Sequence, residues 1–239
     1  MGKKEEYTEI FEAFLKGYPE FPEILDIAKR NARGHGKSQH GRIWVIGGFI
    51  YRPIIKSIYP ELKVSEQSQI DIDFLIERSP PERDLYLPED WSPKITEYGN
   101  LYLVKGNMRI DLNYLRNFHS ITRRSLRPRF KHFFTGTPMD IQSIAYDLTD
   151  KNIGVIGETG IKAIKRKIVR INNLEEAQYE VENIKEALKK EFTIEDLVRQ
   201  KAKELDFGHD LTQMGNPGNH HPDALQVFIS PRNTREKIK

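Results

Sequence analysis

QIDIDFLIE, residues 69–77, sets two aspartates between large apolar residues. In an extended chain successive side chains point to opposite faces. Ile70, Ile72 and Phe74 then share one face, and Asp71 and Asp73 share the other with Leu75. The strand rise puts the two carboxylates roughly 7 Å apart. Buried without partners they would cost several kcal/mol of desolvation. Such a strand therefore either pairs its acids with cations or ends at a site that uses negative charge.

The rest of the chain supplies the setting. Its 239 residues are enough for one large domain or two small ones with a real core. A hydrophobic share of 38% against 31% charged residues fits a globular protein with a polar surface. The net charge of +3 excludes a polycation, so contacts to nucleic acid must come from local patches. The absence of cysteine excludes disulfides, thiolate zinc sites and a cysteine nucleophile. The N-terminal stretch MGKKEEYTEIFEAF has no apolar signal core, Tyr7 stands where N-myristoylation wants Ser or Thr, and no apolar run could span a bilayer. A cytoplasmic protein with no membrane partner is expected.

Residues 4–33 read as two helices broken at GYPEFPE, followed by a basic loop, RGHGKSQHG, at 33–41. RIWVIGG is a short strand ending in a glycine pair, and FIYRPIIKSI has a helical pattern that Pro53 must start or kink. Residues 78–93 carry four prolines and read as a loop. KITEYGNLYLVKGNMRIDLNYL alternates and turns at KGN, as strands with a hairpin do. TPMDIQSIAYD opens with Thr137, Pro138 and Asp140 in the manner of a helix cap, and YDLTDKNIGVI reads as a hairpin. IKAIKRKIVRI passes from helix to strand, 174–190 is an amphipathic helix, and TIED at 193–196 caps another. The organisation expected is α+β: residues 1–135 a mixed sheet with helices, 136–207 a mostly helical part, 208–239 a tail or extended arm.

Asp111, in MRIDLNYL, is flanked by apolar residues as Asp71 and Asp73 are. If the two strands are neighbours, three carboxylates converge. Like charges that close raise each other's pKa, and a divalent cation is their natural partner. Mg²⁺ takes oxygen ligands and leaves room for phosphate, and two such ions can clamp an in-line phosphoryl displacement. Gly47 and Gly48 end a strand and open a helix, where backbone amides can approach a phosphate. Alone, D-x-D also suits a structural ion pair, and a glycine pair is common; order and spacing make the combination informative.

Residues 116–132, RNFHSITRRSLRPRFKH, hold six cations (Arg116, Arg123, Arg124, Arg127, Arg129 and Lys131) and no acid. With Phe118, Phe130 and two histidines interleaved, the stretch could bind a polyanion and stack unpaired bases, or be a solvated loop. KAIKRK at 162–167 is a second basic patch that reads as solvated surface. His220 and His221 are adjacent and do not form a metal-binding spacing, and no Ser-His-Asp arrangement can be argued.

GGFIYR at 47–52, DID at 71–73, DLNYLR at 111–116, GTPMDIQSIAYD at 136–147 and GIKAIKRKIVR at 160–170 occur in that order. This series resembles the nucleotidyltransferases of the DNA polymerase beta superfamily, most of all the head and neck of bacterial-type CCA-adding enzymes and poly(A) polymerases. The likeness runs over about residues 40–171. It departs at Tyr51 and Arg52, where the family has Arg and Asp, so that Arg52 stands one position late. Gly136, Thr137 and Pro138 replace R-R-D, and Gln142 replaces an asparagine, in a stretch the family uses to recognise the incoming base.

The resemblance implies a polymerase-beta-like head whose catalytic, metal-binding acids are Asp71, Asp73 and Asp111. It implies two Mg²⁺ ions, with Mn²⁺ as a substitute. Gly47, Gly48, Arg52 and Arg116 would then bind the nucleotide, and Arg123, Arg124, Arg127, Arg129 and Lys131 would bind RNA. The reaction implied is transfer of NMP from an NTP, ATP or CTP, to a hydroxyl acceptor with release of pyrophosphate. The acceptor implied is RNA, a tRNA 3′ end first. The alternatives are transfer to a small molecule or protein, and a non-catalytic nucleotide- or RNA-binding module that keeps the fold.

Overall fold

The computed structural model describes residues 3–32, 41–66, 68–81, 84–96, 98–150, 152–189 and 191–211. Most of the basic loop at 33–40, the tail beyond 211 and with it His220 and His221 lie outside these residues. Two helices come first, α1 (Lys3–Lys16) and α2 (Phe21–Asn31). Then follow β1 (Ile43–Ile46), α3 (Gly48–Ile58), β2 (Ile70–Ile76), β3 (Ser92–Ile95), β4 (Leu101–Lys105) and β5 (Met108–Tyr114). Two one-turn helices, α4 (His119–Arg123) and α5 (Lys131–Thr135), precede β6 (Ala145–Asp147) and β7 (Val155–Ile156). The last described elements are α6 (Glu158–Arg166), β8 (Ile168–Val169), α7 (Leu174–Leu188), α8 (Ile194–Leu205) and β9 (Gly208–His209).

Seven strands form one mixed sheet in the order β3-β4-β5-β2-β1-β6-β7, and β8 and β9 pair separately. Within the large sheet only β2 and β5 are parallel. The architecture is α+β, a mixed sheet flanked by helices, as the sequence leads one to expect. The division expected at residue 135 falls inside the sheet, whose β6 and β7 come from beyond it. A single large core joins Phe11 and Ile24 to Ile72, Phe74, Ile110 and Leu112, and reaches Val198 and Leu205 near the end. No helix among the described residues is long and apolar enough to cross a membrane.

Alternation along β2 explains which face does what. Ile72, Phe74 and Ile76 point into the large core beneath the helices, each burial contributing about 1.5–3 kcal/mol. The opposite face carries a second, smaller core of Trp44, Ile46, Leu75, Leu115, Phe118, Ile121, Phe133 and Ala145. Its cover comes from α4, α5 and the segment between them, and that cover stops short of Asp71 and Asp73. A cleft opens there.

Two local expectations are corrected. TPMD does not start an α-helix; residues Asp140–Gln142 make one 3₁₀ turn. The Asp140 carboxylate accepts from the Ile141 amide at 2.8 Å and the Arg170 amide at 3.0 Å, so it joins two distant segments instead of capping a helix. Phe118 and Phe130 are not free stacking surfaces either. Phe118 is buried in the second core, and Phe130 lies flat on Trp44, with centroids 4.0 Å and planes 8° apart. The TIED cap is as read: Thr193 Oγ1 accepts from the Asp196 amide, and Asp196 Oδ2 accepts from the Thr193 amide.

Candidate active site

The parallel pairing of β2 with β5 sets Asp73 directly opposite Asp111, and Asp71 opposite Arg109. All four side chains therefore share the face that carries the cleft. Burial, then Asp111 and Asp71, push the Asp73 carboxyl up to about 7, with Arg109 offsetting part of the effect. Burial raises Asp71 as well, Arg109 opposing and Asp111 adding. Arg109 donates from Nε to Asp111 Oδ1 at 2.9 Å and lies 4.4 Å from the centre of the Tyr102 ring. Sequence reading missed Arg109, although the alternation that joins Asp71 to Asp73 also places it on the face of Asp111.

The glycine pair closes one end of this acid row. Gly47 has φ 70° and ψ −142°, a region open in practice to glycine alone. A Cβ built there would lie 3.5 Å from Asp73 Oδ2, so the turn runs beside the acids. Gly48 starts α3; the Ile50 and Tyr51 amides donate to the Gly47 carbonyl, which leaves the Gly48 and Phe49 amides of the first turn as donors suited to an anion.

Arg52, one turn on, donates to Glu204 Oε2 of α8 at 3.0 Å and to the Ser65 carbonyl at 3.1 Å. Lys201 of α8 donates to the same Glu204 oxygen at 2.7 Å. Burial opposes the charge of Lys201, but Tyr51 and Glu204 outweigh it and hold its pKa above the ordinary value. Gly47, Gly48, Arg52 and Lys201 line a cleft of about 420 Å³ together with Asp71, Asp73 and Asp111. Nothing near Lys201 in the sequence points to this place, since α8 reaches the cleft only by tertiary packing.

The basic stretch divides. Arg123 is turned inward, its guanidinium 3.4 Å from the buried Glu176 and 3.9 Å from the centre of the Tyr179 ring. Arg124 donates to the Thr135 carbonyl. Arg127, Arg129 and Lys131 are exposed and have no carboxylate partner among the described residues. Arg116 is exposed too and does not line the cleft, so the structure does not bring it to the acids. Gly136, where R-R-D would begin, packs against α4: a Cβ there would fall 2.1 Å from Ser120 Oγ, which leaves no room for a larger residue.

As the side chains stand, no three His, Cys, Asp or Glu among the described residues are arranged to hold one ion. Asp111 is occupied by Arg109, while Asp71 Oδ1 is buried without a hydrogen-bond partner. An orphaned carboxylate oxygen beside a second carboxylate is a donor pair suited to Mg²⁺, which takes one or two carboxylates and completes its shell with waters and phosphate. Asp71 and Asp73 fit such an ion.

No protein-family model and no curated protein matches the chain. Among solved structures it is similar to a CCA-adding enzyme in complex with ATP, at 17% identity and TM-score 0.47, over 81% of this chain and 40% of that one. A tRNA-processing enzyme in an apo form gives 17% identity and TM-score 0.46, over 79% and 42% of the two chains. A tRNA nucleotidyltransferase complexed with a primer tRNA and an incoming ATP analogue gives 16% and 0.39, over 74% and 49%. The chain thus spans less than half the length of each of these three solved proteins.

Proposed function

We propose that the chain is a metal-dependent nucleotidyltransferase that moves NMP from an NTP to a hydroxyl of RNA, a tRNA 3′ end being the first choice, and releases pyrophosphate. The observation that carries this is the strand register that faces Asp73 with Asp111, keeps Asp71 on the same face, and sets the glycine turn beside them.

Asp111, steered by Arg109, takes the proton of the acceptor hydroxyl. The freed oxygen forms a bond to the α-phosphorus as the bond from that phosphorus to the bridging oxygen of pyrophosphate breaks. Pyrophosphate leaves with the electron pair, its charge met by the Gly48 end of α3, Arg52 and Lys201. Mg²⁺ held through Asp71 and Asp73 would supply Lewis-acid polarisation of the phosphate. RNA is favoured over a small acceptor by the exposed run Arg127, Arg129 and Lys131, which offers phosphate contacts outside the cleft.

One observation favours a second reading, a non-catalytic nucleotide- or RNA-binding module: the Arg109 bond neutralises the acid that a transferase needs free. A screen of each labelled NTP with Mg²⁺ and RNA, protein or no acceptor separates the two. Label incorporated into RNA supports the transferase. Binding of NTP and RNA without incorporation supports the module, and label on protein or released as a small product overturns the RNA acceptor.

A further inference from the structure

The cleft has a second wall that the phosphate chemistry leaves unused. Tyr98, in the turn between β3 and β4, and His119, the first residue of α4, both line it. The Tyr98 hydroxyl is 2.5 Å from the Tyr179 hydroxyl of α7. The His119 ring stacks against Tyr179, with centroids 6.3 Å and planes 22° apart, and is 6.2 Å from the Tyr98 ring. Glu176, one turn before Tyr179 on α7, is wholly buried and reaches both His119 Nε2 (3.5 Å) and Arg123 (3.4 Å). Three segments distant in sequence thus hold two ring-bearing side chains at the cleft.

Their position assigns them a side. The sheet order places β2, β1 and the glycine turn on one flank of Asp111 and β4 on the other. Tyr98 leads into β4 and His119 follows β5, so the wall stands across Asp111 from the triphosphate end. Two strand intervals, roughly 10 Å, separate β1 from β5. A group resting on this wall meets the residue that takes the hydroxyl proton. The same cleft, of about 420 Å³, is lined by both this wall and the acid row.

We propose that Tyr98 and His119, positioned by Tyr179, Arg123 and Glu176, form the acceptor subsite and stack the terminal base of a single-stranded RNA 3′ end. The proposal rests on the transferase reading above and names where its acceptor sits. Ring faces bind bases without regard to sequence. Burial and the neighbouring Arg123 keep the imidazole neutral, with a pKa of about 4, so a base can cover it without stripping water from a charge. The same α4 leads directly to Arg127, Arg129 and Lys131, which continue the path for the phosphates behind the last residue.

The test is a titration of the full chain with a short 3′-hydroxyl RNA, the same RNA with an abasic last residue, and NTP with Mg²⁺. His119→Ala and His119→Phe are compared with wild type. Wild type should bind the abasic RNA roughly tenfold more weakly than the intact one, a comparison that needs no variant. His119→Ala should lose about the same factor for intact RNA alone, and His119→Phe should restore it. NTP affinity should hold throughout. Equal affinity of wild type for the two RNAs overturns the subsite. A loss for NTP equal to that for RNA would move the stacked base to the nucleotide, and a loss that phenylalanine does not rescue would make His119 structural. Transfer to RNA with unchanged His119→Ala binding sinks this inference and spares the transferase. NTP binding with no RNA binding by wild type sinks the RNA acceptor itself.

Discussion

Replacing Asp73 by asparagine should stop transfer and, in the same molecule, stabilise the metal-free protein. Asp73 faces Asp111 across the register with Asp71 two residues away, and burial with those charges pushes its carboxyl from the ordinary 3.8 up to about 7. The folded chain therefore holds this proton to higher pH than the unfolded chain does. Stability from this source is complete below about pH 4 and is lost as pH rises through about 7. The whole linkage is about 4 kcal/mol above pH 8. Proton sharing between the two carboxylates reduces it to roughly 2–4 kcal/mol. Asparagine keeps the size and drops the charge, so the variant should recover that amount. For a chain of this length the gain corresponds to a rise in Tm of roughly 4–16 °C near pH 8, fading to nothing near pH 4. Thermal unfolding with chelator across this range measures it, with transfer followed in parallel in Mg²⁺. A variant less stable than wild type near pH 8 would mean that the carboxylate holds the sheet together, and the reasoning would fail.

Mg²⁺ should raise Tm only when NTP is also present, because two carboxylates bind the ion well only with phosphate as a further ligand. A thermal shift of the same size with Mg²⁺ alone would indicate a site built wholly from protein. Neutralising Arg127, Arg129 and Lys131 together should flatten the dependence of log K on log salt for single-stranded RNA by about 2, three contacts at about 0.7 each. Arg123 is left out of that set because its loss would strand the buried Glu176. Filter binding at several salt concentrations decides it, and an unchanged slope removes the stretch from RNA contact.

The acid pair of β2 was legible because period-two alternation is local: Asp71 and Asp73 must share a face whatever the strand packs against. Their meeting with Asp111 was legible only as a condition, since the pairing of β2 with β5 is a tertiary fact. The glycine turn announced itself through Gly47, where the backbone needs a conformation few residues adopt. Asp140 misled because its carboxylate binds the Arg170 amide, thirty residues along, and a cap motif competes poorly with a partner fixed by the fold. Phe130 misled because the cations around it suggest solvent, while the exposed face of Trp44 needs cover. Lys201, Tyr98 and His119 reach the cleft from three separate places, and no spacing within any one of them encodes the meeting.

Glu204 ties Arg52, the fifth residue of α3, to a helix about 150 positions later in the chain. During synthesis the glycine turn and all three acids leave the ribosome well before α8 does. Until α8 emerges and docks, Arg52 lacks its carboxylate partner and the cleft lacks the Lys201 wall. A nascent chain therefore displays the acids with Arg109 but without the Lys201 ammonium at the cleft, and tight nucleotide capture waits for α8. Ligand binding then reports the docking of α8, and a chain released before it would capture nucleotide poorly.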